Sequence, residues 1–365
     1  MERSSKYKLG TASGLRLPRR ASMIGVVLST VYSIIAIAAA PIAVKPFHIH
    51  LAAYGGMLLF PHAVAIAYVA SGTARGNKWL QTAALLIPIA AVTPLTAILY
   101  KRVADIITAI TFSPMIPAAI TAARARKASV RLSMYLVGFT YIVTLATAIA
   151  ISIIQPLPST AALAYTIAFD VTLIYAVTHH ALPATFRDKP HANLAWIPHS
   201  LALVSVILLL MGKLRYATLL LWTSLTLYIY TAKIYKIKDY LKSISGLPEG
   251  PAKAGMRYFA LGHIAVGLAI ILIILSTLNI IIGKTTGHSA ILELLHATTI
   301  SFTLTHIAIH EPMMIPVILG LKHRREFYDI TPVLFAVAGA LWILLPPASL
   351  AIIVLGIVLM TYMTI

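Results

Sequence analysis

Long apolar blocks of about 20 residues, parted by short basic loops, decide what this chain can become. In lipid every backbone polar group must be satisfied within the protein, so blocks of this kind span as α-helices. Bounded by Pro, Gly and basic breaks, they fall at 22–44, 47–70, 79–99, 103–121, 132–154, 160–183, 193–212, 215–235, 257–282, 289–320, 331–345 and 347–364. The last two are short and also read as a hairpin around Pro346-Pro347. Only 11% of the 365 residues are charged, against about 25% in soluble domains. Soluble folds are excluded, and the fold class is an all-α polytopic transmembrane bundle of about twelve spans.

Basic residues test that count, because cytoplasmic loops carry the Lys and Arg excess. With the N-terminus inside, 23 of the 29 basic residues fall on the inner side. The expectation is a multi-pass protein of the cell (plasma) membrane with both termini cytoplasmic. A net charge of +19 would suggest nucleic acid in a soluble protein. Here topology and anionic headgroups account for it, so the partner is the lipid bilayer and no nucleic acid is expected. Residues 1–21 form a basic tail without a cleavable signal, leaving the first span as the insertion signal. The longest inner loop, 236–256, contains Gly246, Pro248, Gly250 and Pro251 and reads as a flexible joint between spans 1–8 (22–235) and spans 9–12 (257–365).

Histidines carry the candidate chemistry. Without cysteine, disulfides, thiolate clusters and covalent haem attachment are out, leaving 13 histidines as metal or haem ligands. Ionisable groups inside a membrane are costly and mark function. Span 2 carries His48, His50 and His62. Span 6 ends on His179-His180, with His191 in the loop before His199 on span 7. Span 10 carries His296, His306 and His310. His48 to His62 and His296 to His310 share a 14-residue spacing, which on a helix returns to within about 40° and advances about 21 Å. Two such helices can hold two stacked haems, with His48 or His50 facing His296 and His62 facing His310. The bland reading is isolated histidines bonded across helices or lying at the interface, and His288 and His323 fit it. His263 fits packing and ligation equally.

Spans 2, 6 and 10 are each the second in a group of four. Their inner ends, Phe60-Pro61-His62, His179 to Pro183 and His310-Glu311-Pro312, are alike and lead into basic loops at Arg75 to Lys78, Arg187 to Lys189 and Lys322 to Arg325. This suggests a threefold pseudo-repeat of about 120 residues.

Twelve spans in three four-helix arcs, with histidines on spans 2, 6 and 10, are similar to the main subunit of haem–copper oxygen and nitric oxide reductases. The chain resembles more closely the shorter NnrS-like proteins, linked to nitric oxide handling. His48-Ile49-His50 through Tyr54-Gly55-Gly56 looks like that family's early His-x-His segment, and His296 through His310-Glu311-Pro312 like its later histidine-led helix. His179 through Pro183 to His199 resembles the span 6 to span 7 corner of the oxidase subunit. The reductase's His-Pro-Glu-Val-Tyr run is absent: span 6 reads Thr166-Ile167-Ala168-Phe169-Asp170-Val171. The resemblance therefore implies haem b binding and electron transfer more than oxygen reduction, with respiratory or cytochrome subunits as partners.

The expected haem ligands are His48, His50, His62, His296 and His310. Copper at His179, His180 and His199 requires the helix to end or fray at Leu182-Pro183, since adjacent helical residues point about 100° apart. Glu293 is placed to orient a neighbouring histidine or to cap the helix start, Glu311 to hold a ligand histidine's free N–H or to transfer protons, and Asp170 to pair with a base or carry protons. Asp105 is the other acid at membrane depth. If the protein is an enzyme, it is an oxidoreductase. Two other classes remain: a transporter or permease with a histidine-lined path, and a membrane anchor for an external cytochrome.

Overall fold

The computed structural model describes residues 13–39, 45–72, 77–125, 128–188, 191, 193–319 and 327–364. Arg75, Lys189 and the Lys322 to Arg325 loop with His323 lie outside the described residues, as does most of the basic tail. The described residues hold helix and no strand. Twelve rods follow in order: α1 Arg16–Ala39, α2 Phe47–Ser71, α3 Lys78–Leu99, α4 Lys101–Arg124, α5 Val130–Ile154, α6 Pro158–Thr185, α7 Trp196–Leu210, α8 Leu214–Thr231, α9 Pro251–Ile281, α10 Gly287–Pro316, α11 Thr331–Leu344 and α12 Pro346–Thr364. Among the described residues, nine are long and apolar enough to cross a membrane. α7 and α11 are shorter, and α8 is diluted by Arg215, Tyr216, Tyr228 and Tyr230.

Local chemistry places the ends. Asn77 caps α3 by accepting the Leu80 N–H at 3.2 Å, and its amide reaches the Ala118 carbonyl at 3.0 Å. Pro158 and Pro251 occupy first turns, where their missing N–H costs nothing. Gly212 (φ 75°) and Gly283 (φ 76°) supply the left-handed turns that stop α7 and α9.

Large apolar side chains such as Val27, Val92, Ile153, Ile271 and Val358 point outward. Water would not tolerate such a surface and lipid does. Inside, runs of alanine (Ala118, Ala119, Ala122, Ala123, Ala161, Ala162, Ala164) let helices approach closely around buried Tyr141, Tyr165, Tyr175 and Tyr228. The chain is a multi-pass helical membrane protein.

α6 is the central rod, with 89% of its apolar window buried. The first turns of α2 and α10 both pack on its Pro158–Tyr165 segment, so the three run parallel. Each contains a π-helical stretch: Leu51–Leu59 in α2, Thr166–Val171 in α6 and Ala297–Leu304 in α10. The α6 stretch packs against both of the others. Such wide turns are rare and concentrate at functional sites.

The expected joint at 236–256 is instead partly ordered. Ile237–Ser245 forms a surface helix that buries Ile237, Tyr240 and Ile244, and Tyr240 stacks on Phe186 at 4.4 Å. One continuous core runs from Ala21 to Ile315, so packing does not divide the chain at this loop. Residues from Ser13 onward already belong to the first helix.

Candidate functional site

Two cavities lie beside α10. The larger, of ≈ 250 Å³, lies between α1, α2, α10 and α12, with Ala162 of α6 and Trp342 of α11 also on its lining. The smaller, of ≈ 80 Å³, lies between α2, α6 and α10. Phe60, Pro61, Thr303, Ile307 and Glu311 line both and form the wall between them.

His48 and His296 open into the larger cavity from parallel helices. His48 donates its Nδ1–H to the Ala36 carbonyl at 2.8 Å, and His296 donates its Nδ1–H to the Leu292 carbonyl at 2.8 Å. Carbonyls only accept, so these contacts set the tautomer and leave each Nε2 with a free lone pair. That is the arrangement a metal-ligating imidazole needs. The His296 ring is held against Trp342, stacked at 4.5 Å and 11°. Ile34, Ile37, Ala52, Met57, Leu295, Ile300, Ile353 and Ile357 make the walls apolar, and Glu311 is the one charged residue among the lining. Two imidazoles with Nε2 lone pairs in a mostly apolar slot are the donor set that axial haem ligation uses.

His50 faces elsewhere. Two helical residues are about 200° apart, and the His50 ring lies 6.1 Å from Tyr54, away from the cavity. Tyr54 and Tyr165 both donate to Asp105, the second at 2.8 Å, and Lys101 reaches the same carboxylate at 3.5 Å. Asp105 thus ties α2, α4 and α6 together.

The pairing of His62 with His310 is corrected. His62 stacks on Phe112 at 4.1 Å, and its Nδ1 meets the Tyr141 hydroxyl at 2.8 Å, toward α4 and α5. His310 packs at 5.8 Å from His263 and 6.3 Å from His306. The cause is the π stretch between the two histidines of each rod. Wide turns advance less than 100° per residue, so the 14-residue spacing no longer returns to one face.

The copper set is corrected too. His179 and His199 are neighbours at 5.9 Å, but protein groups take both nitrogens of each. His179 meets Tyr175 O at 2.6 Å and Thr231 Oγ1 at 2.9 Å. His199 meets Ala195 O at 2.9 Å and Thr172 O at 3.1 Å. The helix continues through Pro183 to Thr185, so His180 keeps its own face and does not join them. Among the described residues no three acid or imidazole side chains form a metal-binding group.

Glu293 does not orient His296, whose Nδ1–H goes to the Leu292 carbonyl; its Oε2 is buried without a partner. Asp170 is fully buried on the α6 π stretch with both carboxylate oxygens unpartnered, and it lines the smaller cavity with Glu311, His306 and His310. His288 bonds Ser159 at 3.2 Å and links the starts of α6 and α10. Sequence reasoning gave no role to Trp342 or Tyr228, because nothing in the order of residues brings α11 or α8 to α10. Comparison with protein-family models, curated proteins and solved structures gives no match.

Proposed function

We propose that this protein binds haem b and carries electrons within the membrane, in respiratory electron transfer or nitric oxide handling, on a plan similar to the NnrS-like and haem–copper proteins. One observation carries the reading: His48 and His296 face one apolar cavity from parallel helices, each with Nδ1–H held by a backbone carbonyl. These two residues would hold the haem iron through Nε2. Haem with two imidazoles supplies one-electron redox chemistry. Trp342 stacks on the His296 ring, and aliphatic side chains make up most of the walls.

The membrane plan that goes with this reading has twelve spans in three four-helix groups. Both ends are cytoplasmic in the plasma membrane, and other respiratory or cytochrome subunits serve as donor or acceptor. The charge pattern of the loops supports the count, and the π stretch in the second rod of each group supports the repeat.

A dithionite-reduced minus oxidised visible spectrum of purified protein tests the function, with haem quantified in wild type, His48→Ala, His296→Ala and His62→Ala. Haem bands that are lost from the first two variants and kept in the third support it. A colourless wild type from haem-replete cells sinks it and leaves a histidine-lined transport path as the reading to pursue.

A further inference from the structure

Between α9 and α10 two imidazole nitrogens stand open without reaching any protein group. His263 donates its Nδ1–H to the Phe259 carbonyl at 2.7 Å, so its Nε2 carries a lone pair. That Nε2 is buried and unpartnered, and so is His310 Nε2. Unpaired buried polar atoms are rare and call for an explanation, an unseen ion among them. The two ring centres lie 5.8 Å apart, and Phe259 packs edge-on against both rings, at 4.8 Å and 5.2 Å.

The spacing is that of two ligands on one ion. An imidazole nitrogen lies about 1.1 Å from its ring centre and binds metals at about 2.0 Å, so two imidazoles in line on an ion have centres about 6.2 Å apart. Three around one ion would close to about 5.4 Å. His306 stands 6.2 Å from His263 and 6.3 Å from His310, too wide for a trio, and its Nε2 already accepts from Tyr228. The ligand set is therefore a pair, and among the described residues no larger metal-binding group forms. Zinc takes four ligands, and calcium and magnesium take oxygen. Two imidazoles in line suit a singly charged soft ion. Met314 lies four residues beyond His310, on the same helix face, and brings a soft thioether to the cavity that His310 lines. A cation in the membrane interior also needs a counter-charge. Asp170 lines that cavity with both carboxylate oxygens buried and unpartnered. We propose that His263 and His310 bind one Cu(I) ion between α9 and α10. The site is separate from the histidines of the larger cavity and from those where α6 meets α7, and it does not depend on the haem reading.

Titration of the purified full chain with Cu(I), kept reduced by ascorbate and competed with a chromophoric Cu(I) chelator, tests the site. The chain has no cysteine, so no thiol competes. Wild type should take up one Cu(I) per chain. That uptake should be lost in His263→Leu and His310→Leu. It should be kept in His62→Leu, whose open Nε2 lies among Phe112 and Tyr141 with no second imidazole. His263→Cys should restore it, since a thiolate is a soft ligand, and melting curves without copper show which variants are folded. X-ray absorption of the copper-loaded wild type should show two nitrogen neighbours at about 2 Å. No uptake by wild type overturns the site, as does unchanged uptake in folded His263→Leu and His310→Leu, or four nitrogen or oxygen neighbours in wild type. Haem bands lost from the two leucine variants would also overturn it, by giving the pair to haem. A colourless wild type that still takes up one Cu(I) sinks the haem reading and leaves this site standing.

Discussion

The Tyr228 hydroxyl on α8 meets His306 Nε2 on α10 at 3.0 Å. His306 donates its Nδ1–H to the Phe302 carbonyl at 2.9 Å, so Nε2 carries the lone pair and Tyr228 is the donor. The Tyr228 ring also stacks on Tyr175 at 4.5 Å and 22°. One side chain therefore joins α6, α8 and α10.

Tyr228→Phe keeps the stack and strands His306 Nε2. The expected loss is about 1–3 kcal/mol, the usual cost of an unpaired buried acceptor. Thermal unfolding in detergent measures it, and an unchanged midpoint would show the bond to be dispensable.

His48 and His50 are two residues apart and belong to different environments. His48→Ala should abolish haem binding, whereas His50→Ala should leave the haem-to-protein ratio unchanged. Equal loss in both variants would move the ligand off His48.

α10 and α11 are in contact at Gly339, where an added Cβ would lie 2.1 Å from Ser301 Oγ and 2.7 Å from Ser301 N. Ser301 also donates to the Ala336 carbonyl at 2.9 Å, so it has little room to move. Gly339→Ala should cost about 1–3 kcal/mol through overpacking. Gly267→Ala, with nothing within 4 Å, should be neutral or slightly stabilising. Paired melting curves separate the two, and equal midpoints would refute the close approach.

Near the loop after α6, the His191 ring stacks on Tyr230 at 5.3 Å. Desolvation, and then the charges of Lys233 and Lys236, hold its pKa below the ordinary 6.5, with Asp188 partly offsetting them. The folded state thus disfavours the protonated ring. As pH falls through about 6.5 the unfolded chain binds more protons and stability is lost. The melting temperature should drop from pH 7.5 to pH 5.5, by less in His191→Gln. Added salt should narrow the drop by screening the lysines. An identical drop in the variant would assign it to other groups.

Much of the architecture was legible in the residues. Apolar length marks the helices, nine of which among the described residues are long and apolar enough to cross a membrane, and the three rods given special weight for their histidines, α2, α6 and α10, are the three that carry π stretches and pack in parallel. The candidate site was legible only in part. His48 and His296 were named together, yet so were His62 and His310, which the structure turns to different neighbours. The three copper candidates were drawn together by order in the chain, while hydrogen bonds to Tyr175, Thr231, Ala195 and Thr172 hold two of them apart from any shared ligand.

The physical reason is one of range. Whether a segment spans a bilayer depends on its own apolar length and on satisfying its own backbone, both local properties that composition reveals. Which faces of two helices meet depends on accumulated rotation along each rod and on close packing between rods. A wide turn of eight or nine residues in α10 or α2 shifts that rotation without any mark in the apolar pattern. The sequence by itself determined a helical membrane protein with histidines in its interior. Only the tertiary structure decided that His48 and His296 share a cavity and that Asp170, Glu311 and His310 stand together beyond its wall.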